Sequence, residues 1–366
     1  MNEFTTTQAM GRRKFLKKAG LVGATIPIAG GMVAAACYDD PSGRKAVRAT
    51  ETPTPASNGD SGSNGNAHQS TDDTWQAIDE KHKAVVDKFL ENISSPITEG
   101  KGGLPLEFTM DGDVKVFELT CEELEWETTP GNREKARGYN GMLPGPVIRA
   151  TEGDKVRINV TNNLKESTSV HWHGLKLPNT MDGVAFVTQP AIAPGEKFTY
   201  EFTLRNAGTH MYHSHHHSME QLNRGLLGAF IVDPKDPASY PKYDREYILV
   251  LNDTLLGFTI NGKGFPATDA LTAKKGERVL LRWMNEGNMN HPMHLHGMPM
   301  EVFARDGYPI NPPYLCDTVD VAPGNRYDCI VQADEPGVWA FHCHIITHAD
   351  GPDGMFGLVT VLKVDE

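Results

Sequence analysis

From about residue 104 onward the chain is written twice. APGEKFTYEF (193–202) is answered by APGNRYDCIV (322–331), and GTHMYHSH (208–215) by GVWAFHCH (337–344). Gly225 and Gly228 fall on Gly354 and Gly357 at the same offset, and HWHG (171–174) is matched by HLHG (294–297) at a slightly shorter one. Ordered self-similarity of this length means two copies of one domain, placed at 104–237 and 239–366. Each copy is built of short β-branched runs such as KVRINVTN, KFTYEFTLR, EYILVLND and RVLLRWMN, broken by Gly, Pro and Asn turns. That punctuation predicts antiparallel β-sandwiches, so the fold class is all-β with two related sandwich domains.

What precedes the repeat is of another kind. Residues 1–37 carry Arg12, Arg13, Lys14, Lys17 and Lys18, then an uncharged run, then Ala34-Ala35-Ala36, which together read as an export signal. Arg12-Arg13 followed by Phe15 and Leu16 resembles a twin-arginine signal, and Cys37 directly after the cleavage site is a candidate lipid anchor. The expected location is therefore the periplasm or the cell surface. Residues 38–73, rich in Pro, Ser, Gly and Asn, predict a flexible linker. In the extension 74–103, Trp75, Ile78, Val85, Val86, Phe89 and Leu90 fall at near-helical spacing. One amphipathic helix over 75–93, leaning on the main body, is the expectation.

Composition excludes several classes. With 47 acidic against 35 basic residues, net −12, the chain lacks the basic stripe of a nucleic-acid binder. Low mean hydropathy excludes a polytopic membrane protein. Five cysteines cannot staple a chain of 366 residues, so its cores must be hydrophobic.

The 15 histidines, by contrast, are ordered. Along a strand, residues i and i+2 share a face, so each H-x-H sets two imidazoles side by side. Four such pairs occur: His171/His173 and His213/His215 in the first repeat, His294/His296 and His342/His344 in the second. Eight imidazoles on matching strands suit a cluster of copper ions, with zinc as the alternative metal, although structural zinc prefers closed sites of four ligands. Inside the last pair stands Cys343, which must face the other way. His348 and His291 are placed to join it. Two imidazoles and a thiolate with a weak axial thioether, for which Met355 is the candidate, make a blue copper electron-transfer site. In the first repeat the equivalent positions hold Ser214, Met219, Leu226 and Thr168, so only the second can carry that site. Met284, Met289, Met293, Met298 and Met300 crowd the same region, where thioethers would suit Cu(I) or simply fill a core. Cys316 and Cys329 flank the VAPGN turn and are candidates to pair.

HWHG, YHSH, HPMHLHG and HCHIITH together resemble the four copper motifs of the multicopper oxidases, the laccase-like family, over roughly 138–364. The resemblance implies cupredoxin-like Greek-key domains and four coppers. It implies His291, Cys343, His348 and Met355 as type 1 ligands, and His171 and His294 as type 2 ligands. One type 3 copper would take His173, His213 and His344, and the other His215, His296 and His342. Asp182 matches the acid that the family places near the type 2 copper for proton delivery. A second acid, between the last two motif histidines in many relatives, is here Ile346.

Having two domains rather than three, the chain resembles two-domain laccases, which implies a homotrimer with clusters between subunits. The implied reaction is one-electron oxidation of a phenol or aromatic amine at the type 1 copper, coupled to reduction of dioxygen to water. The alternatives are a metallo-oxidase of Cu(I), Mn(II) or Fe(II) and, in another reaction class, a copper nitrite reductase.

Overall fold

The computed structural model describes residues 74–366; the export signal, Cys37 and the linker lie outside the described residues. Helix α1 (Trp75–Ser94) begins where the Thr74 side chain accepts a hydrogen bond from the Ala77 N–H, and ends ahead of Pro96. Of its apolar positions only Phe89 is fully buried, while Val85, Val86 and Ile93 are half-buried. Trp75, Ile78 and Leu90 face solvent. The helix does lean on the body, through a narrower stripe than the spacing predicts, because a single helix resting on a domain buries one edge only.

The first β-domain holds β1 (Thr109–Asp111), β2 (Val114–Thr129), β3 (Asn132–Tyr139), β4 (Gly145–Thr151), β5 (Lys155–Asn162), β6 (Val170–His173), β7 (Lys197–Thr203), β8 (Gly208–Ser214) and β9 (Leu227–Asp233). One sheet runs β1-β2-β5-β7, with β3 added on β2, and the other runs β4-β9-β8-β6. The second domain holds β10 (Arg245–Thr254), β11 (Gly257–Ile260), β12 (Leu271–Lys274), β13 (Arg278–Asn285), β14 (His291–Leu295), β15 (Met300–Arg305), β16 (Tyr308–Cys316), β17 (Thr318–Val321), β18 (Arg326–Gln332), β19 (Gly337–Cys343), β20 (Asp350–Gly351), β21 (Gly354–Met355) and β22 (Val359–Asp365). Its sheets run β11-β10-β13-β18-β15-β16 and β12-β22-β19-β14-β17, and β20-β21 is a separate small hairpin.

Two cupredoxin β-sandwiches result, but their sheets are mixed rather than purely antiparallel. β2/β5, β4/β9, β10/β13 and β12/β22 are parallel pairs. A parallel neighbour needs a long connection, and here that connection is made by strands that cross to the other sheet and return. Residue patterns alone do not carry this information, since both pairings bury the same alternate side chains.

Each sandwich has its own core. Trp172, Tyr200, Tyr212 and Phe230 anchor the first, and Trp283, Phe341, Leu281 and Val302 the second. Between them Met284 and Val250 pack on Met211, Leu227 and Ile231. Alongside, buried Arg282 pairs with Glu246 at 2.6 Å and Asp328 at 3.3 Å, and donates to Thr209 Oγ1 of the other domain at 2.8 Å. Cys316 and Cys329 do not pair, because β15 lies between their strands, and both are free thiols. Met284, Met293, Met298 and Met300 are buried core residues, whereas Met289 is exposed.

Candidate metal centres

Strand register brings the imidazoles together. β6 lies antiparallel to β8 with His171 opposite His213, and β14 lies antiparallel to β19 with His294 opposite His342. Directly opposed residues are neighbours on one face of a sheet, so each domain gathers its four rings into one patch. In the first domain the His171 ring stands 5.7 Å from that of His173, 5.4 Å from that of His213 and 5.4 Å from that of His215. In the second, His294 stands 4.8 Å from His296, 5.9 Å from His342 and 5.6 Å from His344. Among the described residues every ring contact of these eight stays within its own domain. Both patches are partly open to solvent, His215, His296 and His344 being exposed.

The nitrogen atoms are sorted by their partners. His171 Nδ1 donates to the Asp182 carbonyl at 2.8 Å, and His294 Nδ1 to the Asp317 carbonyl at 3.0 Å. His213 and His342 each donate Nδ1–H to the carbonyl of the next residue at 3.0 Å. These bonds place a proton on Nδ1 and turn Nε2 toward the patch, the side from which a metal would be met. His213 Nε2 faces His173 Nδ1 at 3.3 Å, and His296 Nε2 faces His342 Nε2 at 3.1 Å. Burial, first among the causes, pushes His173 down to about 3 and His213 to about 4, so both rings are neutral donors.

Asp182 thus orients His171 through its backbone, while its side chain, a third exposed, stands 3.5 Å from the same Nδ1. Asp317 plays the backbone part for His294, and sequence reasoning missed it. Asp182 lies on a 3-10 turn after β6, whereas Asp317 reaches its histidine from the neighbouring end of β16, so no common spacing marks the two.

Behind the second patch, Cys343 points into the domain. Its Sγ lies 3.9 Å from His291 Nδ1 and 3.6 Å from His348 Nδ1, and all three side chains are buried. Burial pushes the thiol up to about 11, so it keeps its proton until a metal displaces it. Asp253 lies 3.0 Å from His291 Nε2, with both side chains fully buried. Its carboxylate also accepts the Asn288 and Met289 N–H groups at 2.7 and 2.6 Å. Burial opposes its ionisation, but contact with His291 and these N–H groups outweighs that, and the carboxyl stays below its ordinary range. Asp253 therefore sets a buried negative charge beside Nε2, while Nδ1 faces the sulfur. His348 is held differently, with the Phe258 ring stacked on it at 4.4 Å. Met355 sits on β21, partly exposed at the lip of a cavity beside Phe258.

At the equivalent place in the first domain the pocket is plugged. Ser214 Oγ and Thr168 Oγ1 both donate to Gln221 Oε1, at 2.6 and 2.7 Å. Leu226 is buried there, while Met219 is exposed and takes no part. Ile346 is also exposed.

A buried soft thiol flanked by two imidazole nitrogens fits copper better than zinc or iron, and imidazoles in opposed pairs fit further copper ions. Two cupredoxin sandwiches carrying such donors define a copper-binding protein. Multicopper oxidase family models match residues 120–237 and 241–364. The chain belongs to the multicopper oxidase family. It is 30% identical over 294 residues to copper resistance protein A of Escherichia coli, covering 63% of this chain and 47% of that protein. Laccase-1 of Cryptococcus neoformans is 30% identical over 308 residues, 71% of this chain and 49% of the relative. The chain thus spans about half the length of the curated relatives it matches. Among solved structures, a blue copper oxidase from Nitrosomonas europaea superposes with TM-score 0.64 at 33% identity, covering 68% of this chain and 85% of that one. The multicopper oxidase mgLAC gives TM-score 0.64 at 36% identity, covering 68% and 86%.

Proposed function

We propose that this protein is an exported, laccase-like multicopper oxidase that takes single electrons from a phenol or aromatic amine and passes them to dioxygen. The observation that carries the reading is the bond path from one donor set to the other. Cys343 supplies Sγ to the buried set and is covalently joined to His342 and His344 of the open one.

Copper held by Cys343, His291, His348 and Met355 would supply one-electron transfer, and three more coppers on the eight paired histidines would supply dioxygen reduction to water. The chain's own residues do the rest. Asp253 and the Asp182 and Asp317 carbonyls orient imidazoles. The Asp182 carboxyl, reachable from solvent and next to His171, is assigned to proton delivery. With Ile346 in place of a second acid, this leaves Asp182 as the acid nearest the patch on its own domain.

The working unit in this reading is a homotrimer, with the four-histidine patch of one subunit meeting that of its neighbour. Three features support it: the two patches share no ring contact among the described residues, both are open, and each has exposed apolar residues near it. Phe186 and Val187 are 79% and 77% exposed, and Phe186 touches His216 beside the first patch. Leu315 is 67% exposed on the strand that leads to Asp317.

Oxygen uptake by the copper-loaded protein with guaiacol, Cu(I) and Mn(II) in parallel tests the reaction. Uptake with a metal ion alone would favour the metallo-oxidase reading, to which the likeness to copper resistance protein A gives weight. Nitrite serving as acceptor in place of oxygen would refute an oxidase. Sedimentation of a particle the mass of one chain would overturn the trimer. Recovery of the native protein from the cytosol would overturn export, and mass measurement of residue 37 decides the lipid.

A further inference from the structure

We propose that helix α1, which lies outside the matched family domains, is the wall that selects the electron donor. The donor it admits is a flat aromatic ring, uncharged or anionic. This rests on the oxidase reading above and goes beyond it by assigning specificity to a named element.

The helix is fastened to the segment that carries His348. Phe89 stacks on Phe265 with ring centres 4.7 Å apart, and is buried with Ala349, the residue after His348, and Val359. At Gly354, where φ is +107°, a side chain would stand 3.0 Å from the His82 Cα, so the helix backbone rests directly on the β20-β21 hairpin. Lys81 reaches Asp353 of that hairpin at 3.4 Å, and Asn92 donates to the Thr268 carbonyl at 2.9 Å.

Between helix and hairpin lies a cavity of about 540 Å³. This is within the range of small-molecule sites, roughly 300–1,000 Å³. The helix contributes Val85 and Lys88, and the body contributes Leu256, Phe258, Met355 and Phe356 among others. His348 itself is almost fully buried and does not line the cavity. Phe258 does line it, and its ring lies against that of His348, nearly parallel. A ring resting in the cavity is therefore separated from the imidazole by one side chain.

Chemistry narrows the occupant. Aromatic and aliphatic walls favour a ring, which stacks on Phe258 and Phe356. A metal-ion substrate would need several carboxylates or thioethers. The lining offers one carboxylate, Asp353, already paired with Lys81, and one thioether, Met355, already assigned to the copper of the Cys343 set. Lys88 is the single cation of the lining, and it favours an anionic substituent over a cationic one. Copper held by the Cys343 set would accept the single electron that a phenol gives up, and the O–H proton would leave to water at the open mouth of the cavity.

The test uses the copper-loaded full chain. Val85→Trp fills the cavity from the helix side, and KM for guaiacol should rise at least about tenfold. Calorimetric binding of anisole, a ring that is not turned over, should be lost in parallel, while the blue absorption band is retained. Ile78→Ala, on the outward face of the same helix, should change neither. Lys88→Glu is an exposed charge reversal that does not endanger folding. It should raise KM for syringate and, in an assay acidic enough to protonate the diamine, lower it for p-phenylenediamine. Oxygen uptake that is indifferent to both Val85→Trp and Lys88→Glu would overturn the role of the helix and leave the oxidase reading standing. No uptake with any donor in the unaltered protein would overturn both.

Discussion

Glu286→Gln probes the seam between the two sandwiches. Glu286 follows the end of β13, two residues beyond Met284, which packs across the domain boundary. It is buried and its Oε1 has no hydrogen-bond partner. Burial pushes its carboxyl up to about 8 from an ordinary 4.5, with Arg326 pulling weakly the other way. In the unfolded chain the group ionises above about pH 4.5, whereas the folded protein keeps its proton to about pH 8. Between these values the folded state binds the extra proton, so the contribution to stability is full below pH 4.5 and is lost as pH rises through 8. A gap of about 3.5 in pKa, at about 1.36 kcal/mol each, amounts to on the order of 5 kcal/mol. Glutamine has the same shape and cannot ionise. Urea unfolding followed by tryptophan fluorescence, on the copper-loaded protein, should show stability falling steeply from about pH 5 to about pH 8 in the wild type and much less in Glu286→Gln. The variant should overtake the wild type at the alkaline end. Parallel pH profiles for the two proteins would refute the reasoning.

Other outcomes follow from the metal centres. Asp253→Asn should keep the blue band while raising the reduction potential by roughly 50 mV, because His291 loses a neighbouring negative charge worth about 1 kcal/mol; a redox titration checks this. Cys343→Ser should abolish the blue band and donor oxidation together, as the Ser214 counterpart in the first domain indicates, and a blue variant would refute the ligand assignment. Because the buried Cys343 thiol holds its proton to about 11, copper uptake should release a proton and the apparent affinity should rise with pH, measurable by competition with a chelator at several pH values. Gly183→Ala should destabilise by about 3 kcal/mol or more by thermal melting. Its φ is +84° and a Cβ would stand 1.7 Å from the Val170 carbonyl, next to the Asp182–His171 bond.

Repetition and alternation, both local properties of the chain, determined a great deal here. They gave two β-domains, the four pairs of histidines, the opposite direction of Cys343 and its absence from the first repeat, because side-chain direction along a strand follows from residue parity alone. The helix at Trp75–Ser94 was likewise written in its spacing. Tertiary structure decided what parity cannot encode. Parallel pairing within the sheets, the strand between Cys316 and Cys329, and Gln221 plugging the place equivalent to the Cys343 pocket all depend on which strand lies beside which. Asp253 and Asp317 reach their histidines from other strands, across 38 and 23 positions of chain, where no pattern links them. The donor cavity is of the same kind. Its walls come from a helix ahead of the first domain and a hairpin near the end of the second, and only the packing of one on the other makes it a site.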